Sequence, residues 1–358
     1  MFSRIATINL DISDFCLKAA RLVGSKHDVS LERVRRLALP EGAIQKGRII
    51  DLNAVSGLIR RIITDVGGGR RNGKVVNAVL PDTATFIKLI DVESSSNQHQ
   101  FIKNVEDEIV HHIPYGISDV SLDWQTVGRQ NIGSERVLVG VCPKEVVDEY
   151  TSVIERASLA PKNLEVESLP IVRSIFQIKK GRQKDLSNRN VIVLDIGAAR
   201  SSIIFYQERP YNQGDTIEFS VSLPFSGHDI DVAIEKTLSI PHDQALKFKV
   251  TCGLLSDEPC NGVLLKIIEP LLQDLINRLR QAIDFHTTHF AGTVLNGVIL
   301  TGGGANLKGL KEYIEYQVKI PVSLGDPRVN LKNKDILTQA EALSYCSVIG
   351  LGLADFYQ

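Results

Sequence analysis

The segment Val191-Ile-Val-Leu-Asp195-Ile-Gly197-Ala198-Ala-Arg200, followed by Ser201–Tyr206, decides the fold. Four apolar residues in a row predict a buried strand that delivers a carboxylate, Asp195, to a tight turn, and Ser201–Tyr206 predicts the returning strand. Gly197 is expected to take a positive φ there and, beside Ala198, to turn backbone amides toward phosphate oxygens. The same order opens the chain. Ile5–Leu10 reads as a strand, Asp11 stands at its end, Ser13 falls in the turn, and Phe15–Leu22, carrying Lys18, runs back. A third segment, Leu300-Thr301-Gly302-Gly303-Gly304-Ala305-Asn306, is a strand running into three glycines and then a helix. Missing side chains let backbone approach a flat ligand there, and a helix N-terminus favours phosphate. Gly-rich turns of this kind also serve packing alone, so each motif taken singly leaves both readings open. Strand–Asp–turn–strand occurring twice predicts a duplicated α/β unit.

The rest of the chain fits between these motifs. Apolar spacing predicts helices over Leu52–Thr64, Phe101–His112, Glu145–Ala157, Ile230–Leu238, Leu264–Ala282 with Pro270 inside, Leu310–Val318 and Ala340–Phe356. Strands are predicted at Val75–Leu80, Val137–Val141 and Val298–Leu300. Gly181–Asn190 is polar and marks the domain boundary. The 358 residues, 43% hydrophobic and 23% charged, suit two globular domains and exclude a disordered or collagen-like chain. A formal net charge of -1 argues against a dedicated nucleic-acid binder. The charge is uneven. Residues 1–80 hold 14 Lys/Arg against 7 Asp/Glu, and the remainder 27 against 35. That asymmetry suits orientation on an anionic surface, or simply solvated faces. Five cysteines without a C-x-x-C pair read as buried, reduced thiols of a cytoplasmic protein. The opening residues lack the apolar core of a signal peptide, and no stretch reads as a membrane span.

Other chemistries find little support. Gly68–Lys74 has the spacing of a P-loop, but Val75 replaces the Ser or Thr that would hold magnesium, and a helix precedes where a strand is needed. His111-His112 and His286/His289 have no Cys or carboxylate cluster to complete a zinc site. No G-x-S-x-G elbow is present.

Taken together, the two hairpins and the late T-G-G-G turn resemble the actin-like ATPase superfamily, which includes actin, the Hsp70 chaperones, FtsA and MreB. Within it the chain is most similar to the PilM family of type IV pilus assembly. The similarity rests on Asp11-Ile-Ser-Asp-Phe-Cys-Leu-Lys18, Ile113-Pro-Tyr115, Val120-Ser-Leu-Asp123-Trp-Gln125, Pro143-Lys-Glu-Val-Val-Asp148, Ala157-Ser-Leu-Ala-Pro161 and Leu223-Pro-Phe-Ser-Gly227, in that order. The resemblance implies an actin-like fold (ribonuclease H-like, duplicated). Domain I would cover residues 1–180, with an inserted subdomain at about 82–165. Domain II would cover 181–358, with a smaller insertion at about 226–293. It implies ATP with Mg²⁺ in the cleft between them, held by Asp11, Ser13, Lys18, Asp195, Gly197, Ala198, Gly302, Gly303, Gly304 and Asn306, with Asp11 and Asp195 toward the metal. Glu167 would be the acid beside the attacking water, and Leu343–Leu353 a connecting helix whose glycines allow close packing.

Departures point to a degenerate phosphate site and at most weak ATPase activity. Ser13 stands in place of a glycine, at a steric cost in the turn, and Phe15 is able to fill phosphate space. Arg200 replaces a small residue and pairs either with phosphate or with a carboxylate in its stead. The implied role is a cytoplasmic component, peripheral at the inner membrane, that binds the N-terminal peptide of a membrane-anchored PilN-like partner. That peptide is expected in a groove lined by Thr83–Leu89 and the Phe101–His112 helix, with Phe86, Ile87, Phe101 and Ile102 as anchors. The alternative is an active, filament-forming ATPase with an FtsA-like role in cell division, although FtsA carries an amphipathic C-terminal membrane helix and this sequence stops at Gln358, just after the connecting helix.

Overall fold

A computed structural model describes residues 7–26, 28–67, 75–129, 133–178, 189–209, 215–255, 260–290 and 294–357. Strands β1 (Ile8–Ile12), β2 (Cys16–Ser25) and β3 (Asp28–Ala38) form an antiparallel meander. A short hairpin, β4 (Ile44–Gln45) with β5 (Arg48–Ile49), leads into helix α1 (Leu52–Gly67), and β6 (Val75–Leu80) then returns parallel to β1. The first sheet is completed by β10 (Ala160–Val166), parallel to β6, in the order β10-β6-β1-β2-β3. The second half repeats this plan. The meander is β11 (Arg189–Ile196), β12 (Ser201–Glu208) and β13 (Thr216–Leu223). Strand β14 (Leu295–Thr301) lies parallel to β11, and β15 (Val322–Leu324) parallel to β14. The two five-strand units have the same strand order and the same directions, which is the expected duplication. The P-loop-like stretch Gly68–Lys74 and most of Gly181–Asn190 lie outside the described residues; Arg189 and Asn190 begin β11.

The stretch expected as one insertion, about 82–165, divides between the two sheets. Strands β7 (Phe86–Glu93), β8 (Val120–Gly128) and β9 (Ser134–Pro143), with helix α2 (Gln98–Ile109), form a unit of their own core around Phe101, Val105, Ile109 and Val139. That unit extends the second sheet to eight strands through one pairing, Lys88 with Phe219. Helix α3 (Lys144–Arg156) instead buries Val146, Tyr150, Val153 and Ile154 in the core of the first sheet, and β10 belongs to that sheet outright. Helix α2 stops at Ile109 rather than running to His112.

In the second half, α5 (Gly227–Leu238), α6 (His242–Thr251) and the long α7 (Val263–His289) pack on the sheet, and α7 buries Leu264, Ile268, Leu275 and Leu279 as its spacing predicted. Helix α8 (Leu310–Val318) follows β14. One reading of the cysteines is corrected. Cys252 and Cys260 are joined in a disulfide, their Cα atoms 5.3 Å apart, within bridging range. Cys16, Cys142 and Cys346 are free and buried. No helix among the described residues is long and apolar enough to cross a membrane.

Two helices join the halves. Helix α4 (Ser168–Ile175) leaves the first sheet, and α10 (Cys346–Tyr357) returns from the second. The expected single helix over Ala340–Phe356 is broken. A short α9 (Gln339–Leu343), started by a Thr338/Glu341 capping box, ends before Ser344, and α10 begins at Cys346. The glycines of α10 are used as expected. A Cβ on Gly350 would sit 1.7 Å from the Pro170 carbonyl oxygen of α4, and one on Gly352 would sit 2.6 Å from the Asn9 side chain of β1. Arg173 of α4 donates to the Gly350 carbonyl at 3.0 Å. We predict that Gly350→Ala forces α4 and α10 apart and costs about 3 kcal/mol or more, read as a lowered urea midpoint.

Candidate functional site

The carboxyl ends of β1 and β11 face each other across a cleft lined by Ser13, Lys18, Glu167, Asp195, Gly197, Ala198, Arg200, Gly302, Gly303 and Ser347. Asp11 is buried behind Lys18 at the end of β1. Lys18 Nζ lies 3.1 Å from its Oδ2, and Ser347 Oγ donates to the same oxygen at 2.7 Å. Burial alone would raise the Asp11 carboxyl, but Lys18, Ser347 and Arg200 hold it below its ordinary value. Its Oδ1 is buried with no hydrogen-bond partner. Asp195 Oδ1 rests against the backbone of Gly302, where a Cβ would come within 2.8 Å.

Arg200 fills the space between the hairpins. Its Nη1 is 3.3 Å from Asp14 Oδ1 in the first hairpin turn, and its Nε is 3.6 Å from Glu167 Oε2 at the start of α4. Both of these contacts are to carboxylates. Asp82, buried at the end of the strand before β7, accepts from Ser168 Oγ at 3.1 Å and lies within reach of the same guanidinium's field. Five acids thus face two buried cations. Burial pushes Glu167 up to about 8, with Arg200 only partly offsetting it and Asp11, Asp82 and Asp195 adding to the rise. Burial likewise pushes Asp195 up to about 7, against the pull of Lys18.

Several expectations are corrected by the local geometry. Ser13 does not adopt a left-handed φ, because the turn closes through Ser13 N–H to the Cys16 carbonyl at 3.1 Å without one. Gly197 needs no positive φ either. It is required because a Cβ would meet the Arg200 carbonyl oxygen at 2.6 Å, and its amide already donates to that oxygen. Gly302 does take φ +78°, but Gly304 is demanded by Ile196, whose Cγ2 would lie 2.2 Å from a Cβ. The turn is therefore fitted to its own protein first. Asn306 is exposed and donates to the Ala340 carbonyl at 2.9 Å, tying the turn to α9 rather than facing the cleft. Phe15 reaches across to the second half, its ring 4.7 Å from that of His228 on α5.

Of the groups implied for ATP and Mg²⁺, Lys18, Asp195 and the free oxygen of Asp11 fit such a ligand. Arg200 lines the same cleft, whereas Phe15 packs against His228 of the second half. Among the described residues no group of three or more metal-ligating side chains is preformed. Asp14 and Asp82 were missed from sequence. Asp14 sits in a turn with no glycine to flag it, and Asp82 follows an unremarkable strand.

A second concavity, a groove of about 550 Å³, separates the first sheet from the β7–β9 unit and is lined by Lys46, Arg48, Thr83, Tyr115, Asp119, Pro143 and Lys144. Thr83 was expected there, but α2 forms no wall. Ile87 is fully buried in the second core, and Phe101 packs edge-on against Trp124 at 5.2 Å, so neither is available to anchor a ligand. Phe86 and Ile102 are half-buried, and Phe86 packs on the core of its own unit.

Two five-strand units of identical strand order, joined by crossing helices and facing a cleft with paired Asp hairpins, define the actin-like ATPase fold. The solved PilM–PilN type IV pilus biogenesis complex contains a chain of this architecture, with a TM-score of 0.80, 20% identity, and coverage of 99% of this chain and 100% of that one. The ethanolamine utilization protein EutJ from Carboxydothermus hydrogenoformans has a TM-score of 0.52 at 12% identity, over 98% and 91% of the chains. Among curated relatives, the cell division protein FtsA of Buchnera aphidicola subsp. Baizongia pistaciae is 23% identical over 86% of this chain and 81% of its own length. Residues 9–356 match the family described as type IV pilus assembly protein PilM, and the chain belongs to that family.

The raised acids set a pH dependence. Glu167 and Asp195 bind protons more tightly folded than unfolded. Their contribution is present at low pH and is lost as pH rises from the ordinary carboxylate range toward about 7 and 8. We predict that the urea midpoint falls between pH 5 and pH 8 and that Glu167→Gln flattens the slope. An unchanged slope in that variant would count against the assignment.

Proposed function

We propose that this chain is a cytoplasmic, membrane-peripheral scaffold of type IV pilus machinery, which holds an extended N-terminal peptide of a membrane-anchored, PilN-like partner. The observation that carries this reading is the groove between the first sheet and the β7–β9 unit, which combines an apolar rim with both charge signs. Tyr115 is 39% exposed at its edge. Lys144 Nζ donates to the Ser118 carbonyl at 2.7 Å, and Arg48 is clamped by Glu145 at 2.6 Å and by Glu149, so the walls are set in advance. A prearranged channel spares a bound peptide part of the ordering cost. Arg33, Arg35 and Arg36 on edge strand β3 and Arg60 and Arg61 on α1 are exposed cations for an anionic bilayer; Arg70 and Arg71 lie outside the described residues. We expect a labelled peptide of the partner's cytoplasmic N-terminus to bind this chain, and Tyr115→Ala to weaken it by about 2 kcal/mol with the fold kept, by fluorescence anisotropy. Equal affinity in wild type and variant would move the partner site elsewhere.

Nucleotide enters this reading as a secondary ligand. Lys18, Asp195 and the Gly302–Gly303 backbone would hold it, once Arg200 turned from Asp14 toward the phosphates and Phe15 gave way. Arg200, held in the cleft by Asp14 and Glu167, favours a scaffold over a cycling, filament-forming ATPase. Calorimetric titration with ATP and Mg²⁺ is expected to show weak binding in wild type, about tenfold tighter in Phe15→Ser, with turnover near background in both. Brisk hydrolysis by wild type would overturn this part.

A further inference from the structure

Asp14 contacts both Arg200, which lines the cleft, and the Lys46–Gly47 turn, whose Lys46 lines the groove. The β4–β5 turn forms part of the groove wall through Lys46 and Arg48. It is a two-residue hairpin turn, a kind that normally places Asn, Asp or Gly where Lys46 stands. Lys46 has φ 51° and Gly47 has φ 79°, so two consecutive residues are left-handed, one of them with a side chain. Gly47 is also confined, since a Cβ there would lie 2.8 Å from Pro81 Cβ. Such a turn directs two successive amide N–H groups to one side, which makes a seat for an anion. The anion is Asp14. Its Oδ2 accepts from Lys46 N–H at 2.9 Å and its Oδ1 from Gly47 N–H at 2.9 Å. The same Oδ1 faces Arg200 Nη1, which comes from the second half of the molecule. Tyr150 strengthens the tie, donating to the Gly47 carbonyl at 3.1 Å and, more loosely, to that of Ile12 at 3.4 Å.

We infer that Asp14 is a positioning residue for the groove: it holds the Lys46–Gly47 turn in its strained, left-handed form, and Arg200 holds Asp14, so that the state of the cleft is passed to the groove wall. This rests on the groove being the peptide site. The physical case is that a left-handed lysine persists only where its surroundings compensate for it. Two charge-assisted bonds from one carboxylate supply that compensation. An anion arriving in the cleft competes with Asp14 for Arg200. It therefore loosens the turn without touching it, which is a coupling between two sites through one shared group.

The test is amide hydrogen exchange of the intact chain, following residues 44–49 with α1 as the internal control. Asp14→Asn, which keeps the size but removes the charge and one acceptor, should speed exchange at 44–49 by about tenfold or more while α1 is unchanged. Arg200→Ala, on the other half of the molecule, should speed the same amides by a smaller factor. That effect separates coupling from local support, because Arg200 does not contact the turn's backbone. Unchanged or slower exchange at 44–49 in Arg200→Ala would overturn the inference. If that variant also speeds α1, Arg200→Lys decides: protection restored at 44–49 supports the inference, and protection still lost overturns it. Peptide titration run in parallel keeps the outcomes distinct. A wild type that binds no partner peptide removes the groove reading but leaves the exchange result standing.

Discussion

Arg200 is the group on which the arrangement between the halves depends. A guanidinium cannot shed its charge, so burying it demands paired carboxylates. Asp14 comes from the first hairpin and Glu167 from the start of the connecting helix α4, while Arg200 comes from the second hairpin. One cation thus fixes three elements that the chain brings from separate places. Burial raises Glu167 and Asp195, and the neighbouring acids add to the rise, while Asp11, with Lys18 and Ser347 on it, is lowered. The ion pairs of Arg200 join the two hairpins across the cleft and help to hold its shape.

The close crossing of α4 and α10 serves the same end by other means. Pro170 and Gly350 bring the two backbones together, and Gly352 lets α10 settle on Asn9 of β1. Asn77 donates to Asn9 at 3.0 Å and to Asp355 at 3.3 Å, so a short polar ladder joins β1, β6 and α10 beneath the cleft. Close backbone packing thus fixes how α4 and α10 cross. The single pairing of Lys88 with Phe219 then hangs the β7–β9 unit on the second sheet, while the groove it borders is walled on the other side by the first. All of the residues that line the groove come from the first half of the chain.

The sequence by itself determined the duplicated strand–Asp–turn–strand plan, the late Gly-rich turn and most helices. These follow from apolar periodicity and from residues with special backbone freedom, which act locally. The need for glycine at 350 was legible as a small-residue stripe, although its partner, Pro170, was not. Tertiary structure alone decided what the motif residues do. Gly304 answers to Ile196, the Gly197 amide to the Arg200 carbonyl, and Asn306 to Ala340, none of which a linear pattern displays. It alone moved Ile87 and Phe101 from candidate anchors into cores, joined Cys252 to Cys260, and placed Asp14 between two sites. The reason is physical. Periodicity reports which way a side chain faces along its own element, whereas burial, ion pairing and the shift of an acid's pKa depend on what other elements bring to the opposite side.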